Sequence, residues 1–497
     1  MIENTAQAEA AAQENREERE VHRKIKKNAA WLFTGQLFGR ALRTAVLIYA
    51  ARALGVSGWG AASYALSIAT FFTVFSDFGI NALITREVSR KPEEKDAYIS
   101  TAFFIKLAAV SALAIISVYL SGKITNIAEA ARLMPIVAFI VAFDTLRDLG
   151  AAVARALDRM KIEGINNIAT NAVIAGAGFF VLFRNPGSES FMWSYVLGTG
   201  AGLMFIAISL RAYIGRVLSG FRLSLVKKII SAAWPFGLVA LMGIIMINTD
   251  IIIIGWIRSV EEVGLYSAGQ KIIQLLYIIP TIIATAFFPT LSRAAAHETK
   301  FRPLFEQALS VIFMIAAPLA LGGMILSRQI IELVYGAEYL AAAPSFFVLS
   351  ATILIVFPAV LIANAIFAHD QQKKLLLYVL LGLIGNVALD LVLIPIWGIT
   401  GSAIATFINE LFINAYSWSK MKKINHFRIL PRLGKIVMAS AAMSATCFLL
   451  ARLGIPLLVN ILIAGLLYFG ILYAAKDASL FKFLGIQKKI IGGGDGF

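Results

Sequence analysis

Four cations lie inside stretches of apolar sequence, where a charge is costly: Arg40, Arg43, Lys106 and Arg147. Gln36, Arg40 and Arg43 fall at i, i+4 and i+7, so they share one face of a helix. A base at mid-membrane costs about 2.5–3.5 kcal/mol on insertion scales, so four facing lipid would cost on the order of 10 kcal/mol. They are therefore expected to face a protein interior or a wet cavity. Guanidinium forks match phosphate oxygens two at a time, which makes a phosphorylated amphiphile the natural ligand. Asp77, Asp144 and Asp148 lie at similar depth and are the expected counter-charges, with Asp144, Arg147 and Asp148 on one face at i, i+3 and i+4. For Lys106 and Arg147 two readings stand side by side, a pyrophosphate contact or an internal ion pair that only stabilises the helices. Arg40 and Arg43 have no acid on their own helix, which favours a functional cationic cavity.

A second set of polar residues follows later in the chain: Asp250, Lys271, Asn386, Asp390 and Glu410. Asp250 and Lys271 come at similar depth on consecutive helices, so an ion pair between them is expected. Asn386 and Asp390 share a face at i, i+4 and suit a coupling cation or sugar hydroxyls, with plain packing contacts as the alternative. With Glu410 these residues are the candidates for ion coupling, the ion being a proton or sodium. No other chemistry is signalled. A GxxxxGK[ST] phosphate loop is missing, and Gly198-Thr199-Gly200-Ala201-Gly202 lies within an apolar stretch, where it reads as small-residue helix packing. His22, His297, His369 and His426 are scattered through connections, so no metal site is expected, and Cys447 is alone. No cofactor is expected, and without a long outer loop to mount an active site the chain is not read as an enzyme.

The elements that position these residues follow from composition. Hydrophobic residues make up 59% of the 497 and charged residues 15%. Spanning a bilayer takes about 20 apolar residues in a helix. Fourteen such stretches lie near 29–51, 57–84, 98–120, 131–154, 162–183, 189–213 and 230–257, then 263–291, 304–326, 341–368, 374–396, 398–419, 434–453 and 455–475. The runs are continuous rather than alternating, which predicts an all-α polytopic membrane protein instead of a barrel. An excess of 45 Lys and Arg over 29 Asp and Glu would suggest nucleic acid in a soluble protein. Here the bases sit in alternate connections, so no nucleic-acid partner is expected. One side takes 33 of them, including Arg86, Lys161, Arg222, Lys373, Lys422 and Lys489. The other takes about seven, among them Arg52, Lys123, Arg184 and Arg258. The basic side is cytoplasmic, which places both termini inside a cell (plasma or inner) membrane.

Two echoes suggest an internal duplication. Ala156-Leu157-Asp158-Arg159-Met160-Lys161 and Ala368-His369-Asp370-Gln371-Gln372-Lys373 each join the fourth and fifth helices of successive six-helix sets. Gly60, after Gly55-Val56-Ser57-Gly58-Trp59, is echoed by Gly264, after Ser259-Val260-Glu261-Glu262-Val263. Six crossings return the chain to its starting side, so the repeats are parallel, related by an axis along the membrane normal. The expected divisions are a cytoplasmic polar tail at 1–27, a first six-helix lobe at 28–217 and a second at 218–430. Residues 431–497 form a final helix pair and tail outside the repeat.

Several segments resemble the oligosaccharide-lipid (polysaccharide) flippases of the multidrug/oligosaccharidyl-lipid/polysaccharide exporter superfamily. They are Tyr49-Ala50-Ala51-Arg52-Ala53-Leu54-Gly55 with Trp59-Gly60, and Ser76-Asp77-Phe78-Gly79-Ile80 followed by Arg86. Later come Asn248-Thr249-Asp250 through Gly255, Val263-Gly264-Leu265-Tyr266-Ser267-Ala268, and Phe288-Pro289-Thr290-Leu291-Ser292. The last runs from Asn386 through Ile394-Pro395 to Gly398-Ile399-Thr400-Gly401-Ser402-Ala403. The resemblance covers roughly 25–420. It implies two lobes around a central cavity, alternating inward- and outward-facing states, and a polyprenyl-(pyro)phosphate-linked oligosaccharide as substrate. It also implies a basic lining for that cavity, membrane lipids as surroundings and glycan-assembly enzymes as candidate partners. Fourteen helices and a basic first lobe favour this branch over multidrug antiporters, and lipid II flippases are the next alternative. A membrane polymerase or ligase of polysaccharide assembly is the remaining one.

Overall fold

The computed structural model describes residues 2–119, 121–369, 371 and 373–483, and every long element among them is a helix. In chain order these are α1 (Ile2–Asp77), α2 (Ile80–Arg90), α3 (Lys95–Tyr119), α4 (Ala128–Ala156), α5 (Met160–Arg184), α6 (Ser188–Ser209) and α7 (Leu223–Ile257). The second series is α8 (Val260–Leu276), α9 (Ile278–Ala294), α10 (Glu298–Ile325), α11 (Ala343–Ala368), α12 (Lys373–Ile424), α13 (Leu430–Arg452) and α14 (Leu457–Ala474). Eleven helical segments among the described residues are long and apolar enough to cross a membrane. Two of them, Ala30–Arg90 and Leu380–Ile424, each hold two of the fourteen expected stretches. The expected stretch at 131–154 is also a helix, α4, but Asp144, Arg147 and Asp148 make it less apolar than the rest. The protein is thus an all-α, multi-pass membrane protein with about fourteen crossings. Helices dominate because lipid offers no partner for a backbone amide, so every one must be paired within its own segment.

Reversals of direction are made with unusually little chain. Gly55 (φ 67°) and Gly398 (φ 56°) turn α1 and α12 back on themselves in conformations that glycine alone adopts cheaply. Gly398 has a second reason to be glycine, since a Cβ there would lie 2.7 Å from Glu262 Oε2 and 2.9 Å from Arg258 Nη2. The apolar run at 57–84, expected as one helix, is broken. Phe78 (φ 38°) and Gly79 (φ 85°) are both left-handed, and the chain restarts as α2 at Ile80. Asp77 makes that break possible. Its carboxylate accepts from the amides of Gly79 (3.2 Å) and Asn81 (3.1 Å), which have no intrahelical partner at a helix start.

Two compact units emerge from the contacts. The first comprises Met1–Leu54 with Tyr64–Ile244, and the second Gly55–Ser63 with Ile245–Phe497. In the first, Ile80, Leu83, Ile84 and Val88 of α2 pack with Tyr98 and Ile99 of α3, Leu149 and Val153 of α4, and Ile229 and Ala233 of α7. The first half of α7 approaches the α1–α2 break closely: a Cβ on Gly237 would lie 2.5 Å from the carbonyl oxygen of Phe78. In the second unit, Val311, Met314 and Ala317 of α10 are covered by Ile436, Ala439 and Met443 of α13 and by Ala464, Tyr468 and Leu472 of α14. The Tyr468 hydroxyl donates to the Met314 carbonyl (2.8 Å). Glu306 binds the same parts together, accepting from Arg302 Nε (3.0 Å), Arg432 Nε (3.2 Å) and the Arg428 amide (2.7 Å). α13 and α14 are therefore held firmly to α10.

Candidate functional site

In the first unit α1 lies tight against α5. A Cβ on Gly35 would lie 2.6 Å from the Gly164 carbonyl oxygen, and one on Gly39 would lie 2.8 Å from Asn171 Nδ2. Small residues let the two backbones approach, and that approach delivers Arg43 to α5. Its Nε donates to Asn171 Oδ1 (2.8 Å), while Asn171 Nδ2 donates to the Asn167 carbonyl (2.7 Å) and to Asn167 Oδ1 (3.2 Å). The Arg43 guanidinium also lies 5.9 Å from the ring centre of Tyr195 on α6, a cation–π distance. Arg43 is half-buried and Arg40, one turn earlier, is exposed.

The other two expected cations are spoken for by acids. Lys106 is wholly buried, with Nζ 2.7 Å from Asp77 Oδ1. Arg147 is flanked by Asp144 and Asp148, each 2.9 Å away. All three expected counter-charges are therefore used, but on Lys106 and Arg147 rather than on Arg40 or Arg43. The carboxylates pair directly with those two bases, while Arg43, although near enough to Asp144 to feel its charge, has a neutral amide as its hydrogen-bond partner. Residues that sequence reasoning passed over complete the cluster: Asn167, Asn171 and Tyr195, with Ser76 bonded to Thr145 at 2.5 Å. Asn167 and Asn171 stand one turn apart on one face, the one signal that would have found them.

In the second unit Asp250 and Asp390 come together, and Asn386 is buried one turn before Asp390 on α12. Asp250 Oδ2 accepts from the Tyr266 hydroxyl (2.5 Å) and from Thr406 (3.2 Å), and Asp390 Oδ1 accepts from Ser402 (3.0 Å). Each of the two carboxyl groups lies within reach of the other's charge. Four further oxygens here are buried without a donor: Asp250 Oδ1, Asp390 Oδ2, Asn386 Oδ1 and Gln270 Oε1. A pocket so rich in acceptors answers chemically to a proton or a small cation.

The expected Asp250–Lys271 ion pair is not the arrangement found. Lys271 Nζ donates to Gln274 (3.2 Å) on its own helix, and Tyr266 takes the place drawn for it. The reason is register. From the turn at Arg258–Ser259, Tyr266 climbs α8 about as far as Asp250 descends α7, whereas Lys271 lies five residues, about 7 Å, deeper. Glu410 sits one turn beyond Thr406 on α12 and accepts from Asn414 of the same helix (2.7 Å).

The chain is 21% identical over 385 residues to the "Probable low-salt glycan biosynthesis flippase Agl15" of Haloferax volcanii, covering 76% of this chain and 79% of that protein. It is 24% identical over 414 residues to the "Putative O-antigen transporter" of Shigella flexneri, covering 78% and 95%. Among solved structures, "Lipid II flippase MurJ, inward closed conformation" superposes with a TM-score of 0.71 at 19% identity, covering 91% of this chain and 99% of that one. That level of identity speaks for the fold. The family described as polysaccharide biosynthesis protein matches residues 25–295, more than half of the chain, and the protein belongs to that family.

Proposed function

We propose that the protein is a transporter, not an enzyme, that moves a polyprenyl-(pyro)phosphate-linked oligosaccharide from the cytoplasmic to the outer leaflet by alternating access. Arg43, with Arg40 beside it, meets the phosphate groups, and the prenyl tail stays in lipid. The observation that carries this reading is the partnering of Arg43: it is oriented by a neutral amide at 2.8 Å, while the nearby acids are taken up by Lys106 and Arg147. A pyrophosphate leaving water needs fixed cations to replace its hydration, and an aimed guanidinium supplies them without a competing carboxylate in its hydrogen bonds. Kinship to proteins named as flippases and an O-antigen transporter supports the same class of cargo. Asp250 and Asp390, with Asn386, bind the coupling proton or sodium ion, which is a co-substrate here rather than a resident cofactor. Both termini face the cytoplasm, and glycan-assembly enzymes deliver and consume the cargo.

The test is flipping of a labelled undecaprenyl-pyrophosphate-linked oligosaccharide in proteoliposomes. Wild-type protein should flip it, and protein with both Arg40→Ala and Arg43→Ala, inserted in equal amount, should not. Equal rates would remove the phosphate role from these residues. The fold shared with a lipid II flippase favours a second reading, in which the glycan is a peptidoglycan precursor. Supplying lipid II in the same assay decides between the two.

A further inference from the structure

The two acids beside Arg147 are not equally well fastened. Asp148 is gripped by a fork: Arg147 Nε donates at 3.3 Å and Nη2 at 2.9 Å, both to its Oδ1. Asp144 Oδ1 lies 2.9 Å from Arg147 Nη1 but out of line for a hydrogen bond, and that oxygen is buried with no aligned donor. Asp144 also feels the charge of Arg43 on α1, and Tyr195 on α6 feels both. The other charges of the first unit's interior are closed pairs, Lys106 of α3 with Asp77 at 2.7 Å and Arg155 with Glu163 of α5 at 3.0 Å. Asp144 is therefore within reach of two guanidiniums and firmly bonded to neither.

Charge balance then sets what the arrival of cargo requires. In the empty site Asp144 and Asp148 balance Arg43 and Arg147. A pyrophosphate esterified at both ends brings two negative charges, and Arg40, exposed one turn from Arg43, offsets one of them. The other is left over in a site withdrawn from water. An unpaired charge there is costly, and a neighbouring negative charge favours the neutral form of a carboxyl group.

We propose that Asp144 takes a proton from water when the pyrophosphate binds and returns it on release, so that cargo and one proton occupy the first unit together. This inference rests on the phosphate reading above. Of the groups that face Asp144, Arg43 and Arg147 stay charged across the working pH range. Asp148 keeps its fork to Arg147 and is the more solvated acid, its side chain 40% exposed against 23% for Asp144. The proton therefore goes to Asp144, and the loaded site carries no net charge.

The experiment is calorimetric titration of the full chain, in nanodiscs of phosphatidylethanolamine and phosphatidylglycerol, with the undecaprenyl-pyrophosphate-linked oligosaccharide. Both phosphates of that probe are esterified, so the probe itself exchanges no proton near neutrality. Runs in two buffers of different ionisation heat count the protons taken up on binding. Wild-type protein should take up about one per probe, and its affinity should fall about tenfold for each unit of rise in pH. Asp144→Asn should take up none, bind at neutral pH at least as tightly as the wild type does in acid, and show an affinity flat with pH. Asp144→Glu should restore the uptake. Wild-type binding with equal heats in both buffers overturns the proton site and leaves the phosphate reading standing, as does uptake that persists in Asp144→Asn. A wild type that does not bind the probe overturns the phosphate reading and the proton site with it. The wild-type count is read without any variant, so it decides even if Asp144→Asn fails to fold.

Discussion

In the proposed function Arg43 owes its role to what does not touch it. Its guanidinium is oriented by Asn171 and by the face of Tyr195, and both leave its charge intact. Arg43→Ala should abolish flipping without lowering the amount of membrane protein. Arg43→Lys keeps the charge but loses the planar fork, so flipping should fall only in part. Quantified flipping against protein level in one preparation checks both. Asp390 makes the matching case in the second unit. Asp390→Asn keeps the size and the bond to Ser402 but removes the charge that would bind a cation. Transport by that variant should no longer respond to an imposed proton or sodium gradient, and an unchanged response would take coupling away from this site. The positions of Arg40, Arg43, Lys106 and Arg147 were legible in the sequence because a charge inside an apolar run has few harmless explanations. Asn171, Tyr266 and Thr406 were not. Neutral polar residues are common in membrane helices, and the carboxylate that Thr406 meets is 156 residues away.

At the scale of elements, the break between α1 and α2 is the best-defined piece of engineering in the first unit. Asp77 caps the new helix start through two amides and is in turn neutralised by the buried Lys106. Removing one partner of a buried pair strands the other charge, at a cost of about 3–5 kcal/mol. Lys106→Met alone should therefore reduce the yield of folded protein sharply, and Asp77→Asn added to it should recover much of the loss, because Asn still caps a helix. Thermal unfolding in detergent of the two single variants and the double variant measures this. Additive losses would mean that the pair is not the reason for the burial. The motif Ser76-Asp77-Phe78-Gly79 marked something in the sequence, but not a break. A continuous apolar run reads as one helix until the left-handed residues at 78 and 79 are seen.

At the scale of the whole molecule, orientation can be checked without knowing the substrate. In a Cys447→Ala background, a cysteine at Ala10 or Lys422 should stay unreacted when intact cells meet an impermeant thiol reagent, and one at Ser188 should label. Labelling at Lys422 would reverse the assignment that rests on the distribution of bases. The helical class and the approximate number of crossings were fixed by local properties: apolar length and its alternation with polar connections are written within a few tens of residues. The expected duplication rests in the sequence on faint echoes, Gly60 in Gly264 among them. Which cations would be neutralised was decided in three dimensions. An acid at matching depth becomes a partner only if helix rotation and register aim it, so Asp77 went to Lys106, and Asp250 met Tyr266 instead of Lys271. Charge per residue is a property of the chain. Charge left over after pairing, which a bound phosphate would feel, exists only once the helices are packed.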